Sequence, residues 1–472
     1  MIHGADALNG GAYPANDSGN ADRLLAIFGA DFRYVEGLGW LRWDNDQGRW
    51  RQGEGPFREA ELCAQLVVLD GRKMGLPDLE KWGRTSGNAG RISACVDVAK
   101  HRPEVRIEHA ALDADPWLFN CANGTIDLRT GELRPHRRED LITKRSPIAY
   151  PTEGLAGPGL GCPRFLQFLR ETMGADGGND TTADDMVAYL LRWSGYALTG
   201  VVDEQVFGLW YGVGANGKST MLEVLRHVMG DYAVALDANT LLDSPGSTPH
   251  PTGLMGLRGA RLATAVEPDS GRRWNESLIK ALTGGDAVTA RLMRQDYVTF
   301  MPTHKLVVSC NAKPLVRDQG RGFWRRLHAV PWGVSFEHRK DLGLKGKLEA
   351  EAPGILAMLV LGCRAWQSQG LCPPTAMSEA GAEYQESQDT IGAFLSEQCE
   401  TGPGYHASRA QLYSAYKQWA MEGGEYCHGK QAFNRIMSER GFGVGKPKGG
   451  GDSWLGLRMR AIGPLGLVQP PR

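Results

Sequence analysis

Residues 205–230 read QVFGLWYGVGANGKSTMLEVLRHVMG, and this stretch decides the fold of the central part of the chain. Residues 206–210 predict an apolar β-strand, and the apolar positions of residues 221–229 share one face of a helix that stops at Gly230. Between strand and helix lies a glycine-rich turn with the spacing GxxxxGKS. Glycines let backbone N–H groups wrap a triphosphate, the lysine reaches its β and γ oxygens, and the hydroxyl binds Mg²⁺. The stretch therefore predicts a phosphate-binding loop for a nucleoside triphosphate and Mg²⁺.

The glycine-rich turn supplies the candidate nucleotide-binding residues. Lys218 is assigned to the β and γ phosphates and Ser219 to Mg²⁺. An accidental match is the alternative in a chain with 62 glycines, but the flanking strand and helix favour a true phosphate site. The candidates are Gly212, Gly214, Asn216, Gly217, Lys218, Ser219 and Thr220.

Composition narrows the class of protein. The 472 residues predict about three domains, and 42% hydrophobic residues are ordinary for a globular protein. The longest apolar run, near residues 354–363, is too short to span a bilayer, so we expect a cytoplasmic protein without a membrane partner. Nine cysteines form no CxxC pair, which argues against a zinc ribbon or a disulfide framework. With 53 basic and 54 acidic residues, nucleic acid must be bound by a local basic surface.

Two further apolar strands end in polar residues. Residues 261–266 predict a strand that is followed by Glu267, a carboxylate suited to Mg²⁺ and the attacking water, and residues 305–310 predict a strand that is followed by Asn311. Each residue alone could be an ordinary exposed strand end. Together with the lysine of the loop, they predict a nucleotide site at the carboxyl ends of a mostly parallel sheet.

The region before the loop predicts an α+β unit. A helix is expected from Asn20, and residues 34–50 predict two short strands around a turn. Trp40, Trp43 and Trp50 suggest base stacking, although cross-strand aromatic packing is the favoured alternative. Residues 57–103 predict helices, residues 117–136 a β-meander, and residues 163–200 further helices.

The motifs in order resemble those of superfamily 3 helicases, specifically the helicase half of phage, plasmid and poxvirus-type primase-helicases. The resemblance lies in GVGANGKST at 212–220, KALTGGDAVTAR at 280–291, NAKP at 311–314 and FWRRL at 323–327, and it extends over roughly residues 20–460. It implies an α/β fold with a P-loop AAA+-like ATPase core, to which the residue patterns add an α+β N-terminal region and a C-terminal winged helix. Residues 1–20 are then a leader, 21–200 the N-terminal region, 201–340 the ATPase, 341–395 a helical lid, and 396–472 the winged helix.

The resemblance also implies a ring of six copies that moves 3′ to 5′ on single-stranded DNA. Arg325 and Arg326 follow the Asn311 strand, and neighbouring side chains of an extended segment point in opposite directions. One is therefore expected to serve the chain's own nucleotide or core and the other a neighbour's γ-phosphate. The alternative is that both only brace the subunit.

A predicted hairpin over residues 284–300 would line the pore of such a ring, with Lys280, Arg291 and Arg294 as DNA contacts. Pairing with nearby acids on a solvated surface is the alternative for these arginines. Two features depart from the family. Pro268 separates Glu267 from Asp269, which leaves the second carboxylate open, and the region before the loop is too short to hold a primase as well, so we expect a separate primase.

The C-terminal residues form a further unit with a local positive charge. Helices are expected at 408–421 and 429–440, followed by a strand, a glycine-rich wing and a strand over 444–460. From residue 430 onward, eight Lys and Arg face two Asp and Glu. A basic winged helix suits DNA, with Lys446, Lys448 and Arg458 as candidate contacts, and a packing role is the alternative.

These observations predict an ATP-dependent DNA helicase of a phage or other mobile element, acting on single-stranded and forked DNA. An ATP-gated initiator or loading factor that binds DNA without processive unwinding is the main alternative. A small-molecule P-loop kinase is a weaker one, because the sequence shows no acceptor pocket.

Overall fold

The computed structural model describes residues 13–152, 161–174, 181–243, 251–266, 272–291, 297–316, 320–447 and 451–460. Among these residues, no helix is both long and apolar enough to cross a membrane.

The N-terminal part combines a small antiparallel sheet, a layer of helices and a β-meander. The first sheet has the order β1-β2-β3 and the meander the order β4-β5-β6. The first helix begins at Asp17, capped by the Asn16 side chain, rather than at Asn20. The elements are α1 (Asp17–Phe28), β1 (Phe32–Val35), β2 (Gly39–Asp44), β3 (Arg49–Gln52), α2 (Phe57–Met74), α3 (Pro77–Ser86), α4 (Ala89–Ala99), β4 (Leu118–Cys121), β5 (Gly124–Asp127), β6 (Glu132–Arg134), α5 (Pro163–Met173) and α6 (Thr181–Leu198).

The tryptophans of this first sheet are packing residues. Trp43 lies opposite Trp50 on neighbouring strands, with ring centroids 5.6 Å apart. Trp40, Trp43 and Trp50 are only 8%, 7% and 1% exposed. Cross-strand packing is confirmed and the base-stacking interpretation is wrong, because the rings pack against other aromatic rings and leave almost none of their faces exposed for a base. The sheet has three strands instead of the expected two, since positive φ angles at Gly37 and Gly39 allow a tight turn after β1.

A five-stranded parallel sheet forms the centre of the chain, in the order β13-β7-β12-β9-β8. Every residue of β12 is buried, as expected for a strand covered on both faces. The elements are β7 (Phe207–Tyr211), α7 (Lys218–Met229), β8 (Ala233–Leu236), β9 (Leu262–Val266), α8 (Glu276–Gly284), β10 (Val288–Ala290), β11 (Val298–Phe300), β12 (Lys305–Cys310), α9 (Arg321–Trp324), β13 (Leu327–Pro331), α10 (Leu344–Ala350), α11 (Ala352–Gln369) and α12 (Thr375–Ser387).

Two hydrophobic cores lie against the sheet. Trp210 and Val307 belong to a cluster shared with α6, α7 and α11. Leu209 and Val308, the alternate residues of the same strands, belong to a second cluster with α8. This alternation places the helices on both faces of the sheet and leaves its carboxyl edge for the loop after β7.

Two buried cations fasten the amino edge of the sheet to the N-terminal part. Arg261 donates to the carbonyl oxygens of Leu198 and Leu118, at 2.7 Å each, and Lys305 donates to the Thr199 hydroxyl at 3.2 Å. Both are buried, and burial lowers the pKa of each. Because positive charge is favourable at a helix C-terminus, these side chains hold the end of α6 and the meander against β9 and β12.

The C-terminal elements share their own core. They are α13 (Thr390–Gln398), β14 (Cys399–Ser408), α14 (Arg409–Glu422), α15 (Lys430–Glu439), β15 (Val444–Gly445) and β16 (Ser453–Met459), and the antiparallel sheet has the order β14-β16-β15. Phe394 of α13 packs in this core with Tyr416, Phe433 and Trp454. The boundary expected between residues 395 and 396 therefore falls inside α13, a helix that packs with the C-terminal elements.

Candidate nucleotide site

The loop between β7 and α7 requires glycine at two positions. Gly212 has a φ of 148° and Gly217 a φ of 93°. A Cβ atom on Gly212 would lie 2.2 Å from the carbonyl oxygen of Trp332, and one on Gly217 would lie 2.7 Å from Cγ2 of Thr172. Neither distance is possible for real atoms, so the chain can follow this path only without side chains there.

The same loop presents unpaired backbone donors. Within the described part of the chain, the N–H groups of Gly214, Ala215, Asn216 and Gly217 donate to no protein acceptor. They lie at the N-terminus of α7, where the helix dipole favours negative charge. A Cβ atom on Gly214 would meet nothing within 4 Å, so the space beside the loop is open. Unpaired N–H groups around an open space at a helix N-terminus suit an anion such as a phosphate.

Lys218 is buried and points back across the loop. Its Nζ atom donates to the Gly212 carbonyl at 2.6 Å, to Oδ1 of Asn216 at 3.1 Å and to Oδ1 of Asn311 at 3.4 Å. The Asn216 amide is itself held by the Trp332 carbonyl at 3.0 Å. These contacts hold the ammonium group between the loop and the end of β12. The structure brings together Lys218, Asn216 and Asn311 as the sequence predicts.

Of the two residues expected to bind Mg²⁺, Ser219 and Glu267, the structure describes only Ser219. Val266, the last residue of β9, lies opposite Ser309 of β12, so β9 and β12 end at the same edge of the sheet. Glu267 itself and Asp269 lie outside the described residues. Ser219 is exposed in the first turn of α7. Among the residues that the structure describes, no group of three or more His, Cys, Asp and Glu could hold a metal, so the Mg²⁺ assignment stays a prediction.

Arg325 and Arg326 lie at the opposite edge of the sheet. Leu327 pairs with Phe207 at the amino ends of β13 and β7, and the Phe207 N–H donates to the Arg326 carbonyl at 2.8 Å. A strand of this length separates the two edges by about 15 Å. The interpretation that one arginine serves the chain's own nucleotide is therefore wrong, because Lys218 lies beyond the far edge.

The two arginines have different surroundings. The Arg326 guanidinium donates to the Gly322 carbonyl at 2.9 Å, and burial, followed by the nearby Arg325 charge, lowers its pKa. Arg325 is exposed and donates to Oε1 of Gln205 at 3.4 Å. The bracing role expected for one of them fits Arg326, and the exposed Arg325 is the better candidate for reaching a neighbouring copy.

The predicted hairpin exists as the antiparallel pair β10–β11, in which Val288 lies opposite Phe300. Arg291 follows β10, and its guanidinium lies 4.9 Å from the ring centroid of Tyr297. Lys280 lies on α8 beside Gly322 of α9. Arg294 is outside the described residues. The pairing of the hairpin is confirmed, and its contact with DNA stays a prediction.

The basic residues of the C-terminal unit are mostly paired. Arg458 donates twice to Oε2 of Glu400, at 2.9 and 2.7 Å, and stacks on the Tyr405 ring. Lys446 is 78% exposed in its side chain and lies 3.7 Å from Asp452. Lys448 lies outside the described residues. The pairing of Arg458 matches the packing alternative for that residue, whereas Lys446 remains accessible.

Sequence reasoning missed a network beside the site. The Lys313 ammonium lies 4.1 Å from the ring centroid of Tyr211 and 5.2 Å from that of Tyr384. The Tyr384 hydroxyl accepts a hydrogen bond from Trp274 at 3.1 Å and donates to the Pro314 carbonyl. The segment after Asn311 is thereby tied to α12. No local pattern signals this, because the partners are far apart in sequence.

Comparisons with known proteins match two parts of the chain to families. Residues 21–174 match the family described as D5 N terminal like, and residues 210–326 match a family of unknown function (DUF5906). The chain is 27% identical over 354 residues to "Putative helicase L207/L206" of Acanthamoeba polyphaga mimivirus, which covers 70% of this chain and 35% of that protein. It is 25% identical over 379 residues to "Putative helicase 022R" of Frog virus 3 (isolate Goorha), which covers 65% of this chain and 39% of the relative.

A protein of African swine fever virus that is named as a putative primase is 24% identical over 335 residues, which cover 65% of this chain and 34% of that protein. The chain thus aligns with 34 to 39% of the length of these relatives. The predicted resemblance to primase-helicase-like proteins is confirmed by these matches. The narrower assignment to superfamily 3 is consistent with them.

Among solved structures, the chain resembles "The A form apo structure of NrS-1 C terminal region-CTR" with a TM-score of 0.47 at 10% identity, covering 90% of this chain and 95% of that one. "The apo structure of NrS-1 C terminal region (305-718)" gives a TM-score of 0.42 at 10% identity and covers 69% and 87%. TM-scores at this level do not establish a shared fold, so the architecture rests on the sheet topology described above.

Proposed function

We propose that this chain is the motor part of a DNA replication protein that hydrolyses ATP to unwind DNA, working as a ring of copies. The main support is the loop after β7, where unpaired backbone N–H groups surround an open space. The buried Lys218 ammonium group contacts both this loop and Asn311. The names of the viral relatives support a role in replication.

In this proposal the residues have distinct tasks. The loop N–H groups and Lys218 bind the β and γ phosphates, and Asn311 orients the attacking water. Ser219 and Glu267 would hold Mg²⁺, which neutralises phosphate charge when bound. Glu267 accepts the proton of the water. Arg325, exposed at the other sheet edge, would stabilise the γ-phosphate of a neighbouring copy.

The test is ATP hydrolysis by two variants with a matched control. Lys218→Ala should lose both ATP binding and hydrolysis, while Glu267→Gln should keep binding and lose turnover by about 10²-fold or more. Lys347→Ala is the control, because Lys347 forms a surface ion pair with Asp341 at 2.8 Å and lies outside the loop. Normal hydrolysis by Glu267→Gln would move the acid role to Asp269.

Strand displacement distinguishes unwinding from loading. A fork with a 3′ tail should be unwound in the presence of ATP, and a fork with a 5′ tail should not. Hydrolysis stimulated by DNA without displacement of either strand would instead favour the initiator or loading factor, which binds DNA and changes state without moving along it.

A further inference from the structure

A groove of about 1020 Å³ lies where the N-terminal part meets the base of the β10–β11 hairpin. We call it the junction groove. One wall comes from β2, β3 and residues 108–114 and 143–144, and the other from residues 258–259 and 298–303. Its volume is at the upper end of the range of about 300–1,000 Å³ for small-molecule pockets, so it can hold a ligand longer than one nucleotide.

Two cations of the junction groove lack a protein partner. Lys144 and Arg258 both line it, and within the described residues neither side chain forms a hydrogen bond or an ion pair. The stem of Lys144 crosses Gly259, where a Cβ atom would lie 3.4 Å from Cε of the lysine. Arg258 is half-buried, and burial lowers its pKa. A partly desolvated guanidinium without a carboxylate is costly, and an anionic ligand would offset that cost.

The groove is lined by four further charged groups, two arginines and two carboxylates. Arg49 and Arg51 are paired with Asp231 and with Asp44 respectively. The Asp113 carboxylate accepts hydrogen bonds from the backbone N–H and the hydroxyl of Thr143. Glu108 is exposed at the rim. The residues that line the groove thus include four cations, Arg49, Arg51, Lys144 and Arg258, and two carboxylates, Glu108 and Asp113, and of the four cations only Lys144 and Arg258 have no ion pair within the described residues.

Apolar side chains lie beside these cations. Met301 is 60% exposed, and Phe300, the last residue of β11, is half-buried at the groove wall. Because β11 is also a strand of the hairpin, the groove begins where the hairpin ends. Cations that follow a phosphate backbone, together with apolar surfaces for unpaired bases, are the features that bind single strands.

We propose that the junction groove binds a single strand of DNA, with phosphates at Lys144 and Arg258 and bases against Phe300 and Met301. This site shares β11 with the hairpin, but its proposed contacts include neither Lys280 and Arg291 nor the basic residues of the C-terminal unit. It rests on the proposed function only in that DNA is the polymer the protein acts on.

The test is the salt dependence of oligo-dT binding by the full chain, measured by fluorescence anisotropy without nucleotide. For single strands, each phosphate contact contributes about 0.7 to the slope of log K against log salt. Lys144→Gln and Arg258→Gln should each reduce the slope by about 0.7 and the double variant by about 1.4. Arg258→Lys should retain the slope, because it keeps the charge. Arg84→Gln, on the remote surface of α3, is the matched control.

A second measurement locates the strand even if a glutamine variant fails to fold. p-Benzoylphenylalanine in place of Met301 should crosslink to oligo-dT on irradiation, and the same group in place of the exposed Met74 of α2 should not. Equal crosslinking at the two positions, or a double variant with wild-type affinity and slope, would overturn the proposal.

The outcomes separate this proposal from the proposed function and from other ligands. Basal ATP hydrolysis by Arg258→Gln should be unchanged, since Arg258 lies outside the nucleotide site. A wild-type chain that binds oligo-dT in the groove but never hydrolyses ATP would refute the proposed function alone. A double variant with altered oligomeric state in sedimentation and unaltered oligo-dT binding would make the groove an interface between copies, which also overturns the proposal.

Discussion

At the scale of single residues, His304 is a buried titratable group whose environment differs from that of an ordinary histidine. His304 is buried next to β12, and neither ring nitrogen has a hydrogen-bond partner among the described residues. Burial, and to a lesser extent the adjacent Lys305, lower the pKa of His304 to about 4. The imidazole is therefore neutral in the folded chain at pH values where it would be protonated in the unfolded chain.

This predicts a loss of stability in acid. The unfolded histidine binds a proton below about pH 6.5, whereas the folded one does so only below about pH 4. Between these values the unfolded state holds more protons, so the free energy of unfolding falls as the pH is lowered, by up to about 3 kcal/mol from this group. His304→Leu should show a smaller fall in the free energy of unfolding, measured by urea titration, when the pH is lowered from 7 to 4.5. His227 is exposed, so His227→Leu should lose the same free energy of unfolding as the wild type over this pH range. The same loss in His304→Leu would contradict the role given to His304.

At the scale of elements, the C-terminal strands show that a basic residue in a positively charged segment is not always free to contact DNA. Arg458 and Lys446 lie on or beside β16 and β15, and both belong to the positive segment read from the sequence. Only the pairing of each differs. Arg458 is held by Glu400 across β14 and β16 at 2.7 Å, while Lys446, at the end of β15, has a longer ion pair with Asp452 at 3.7 Å and a side chain that is 78% exposed.

The two residues should therefore respond differently in duplex DNA binding. If the C-terminal unit contacts DNA, Lys446→Gln should lower the slope of log K against log salt by about 0.9, the share of one phosphate contact on a duplex. Arg458→Gln should leave the slope unchanged, because its charge is already satisfied by Glu400. The same loss in both variants would show that the Glu400 pair opens when DNA binds, and no loss in either would make the unit a packing element.

At the scale of the whole molecule, the distance between the two sheet edges has a consequence for assembly. Lys218 lies beyond the carboxyl edge of the parallel sheet, and the exposed Arg325 lies at its amino edge, where it donates a hydrogen bond to Gln205. A copy stacked beside another could supply Arg325 to its neighbour's loop, but no chain can supply it to its own.

Mixing two inactive variants tests this arrangement. Arg325→Ala retains the loop, and Lys218→Ala retains the arginine, so a mixed assembly should recover part of the ATPase activity at the shared interfaces. An arginine supplied in trans is worth about 10³ to 10⁵ in rate where it is known. Arg326→Ala mixed with Lys218→Ala should recover less, because Arg326 braces its own subunit through Gly322. No recovery in assemblies shown to be mixed would exclude a trans role for Arg325.

The sequence alone determined the local elements of the site. The strand, loop and helix of residues 207–229, the buried strands before Glu267 and Asn311, and the β10–β11 pair follow from apolar periodicity and turn residues. These signals are local, because side-chain spacing within one segment fixes its structure and its buried face. They also placed Lys218 and Asn311 at strand ends on one sheet edge.

Only the tertiary structure decided which segments meet. The order β13-β7-β12-β9-β8 sets Asn311 beside Lys218 and puts both arginines at the far edge, and no periodicity encodes the choice of neighbouring strands. The ties from Arg261 to Leu118 and from Tyr384 to Pro314 join residues 143 and 70 positions apart. The burial of Trp43 and Trp50, and the partner of Arg458, likewise depend on what packs against them. Hydrophobic patterning specifies that a face is covered, and long-range packing energy selects what covers it.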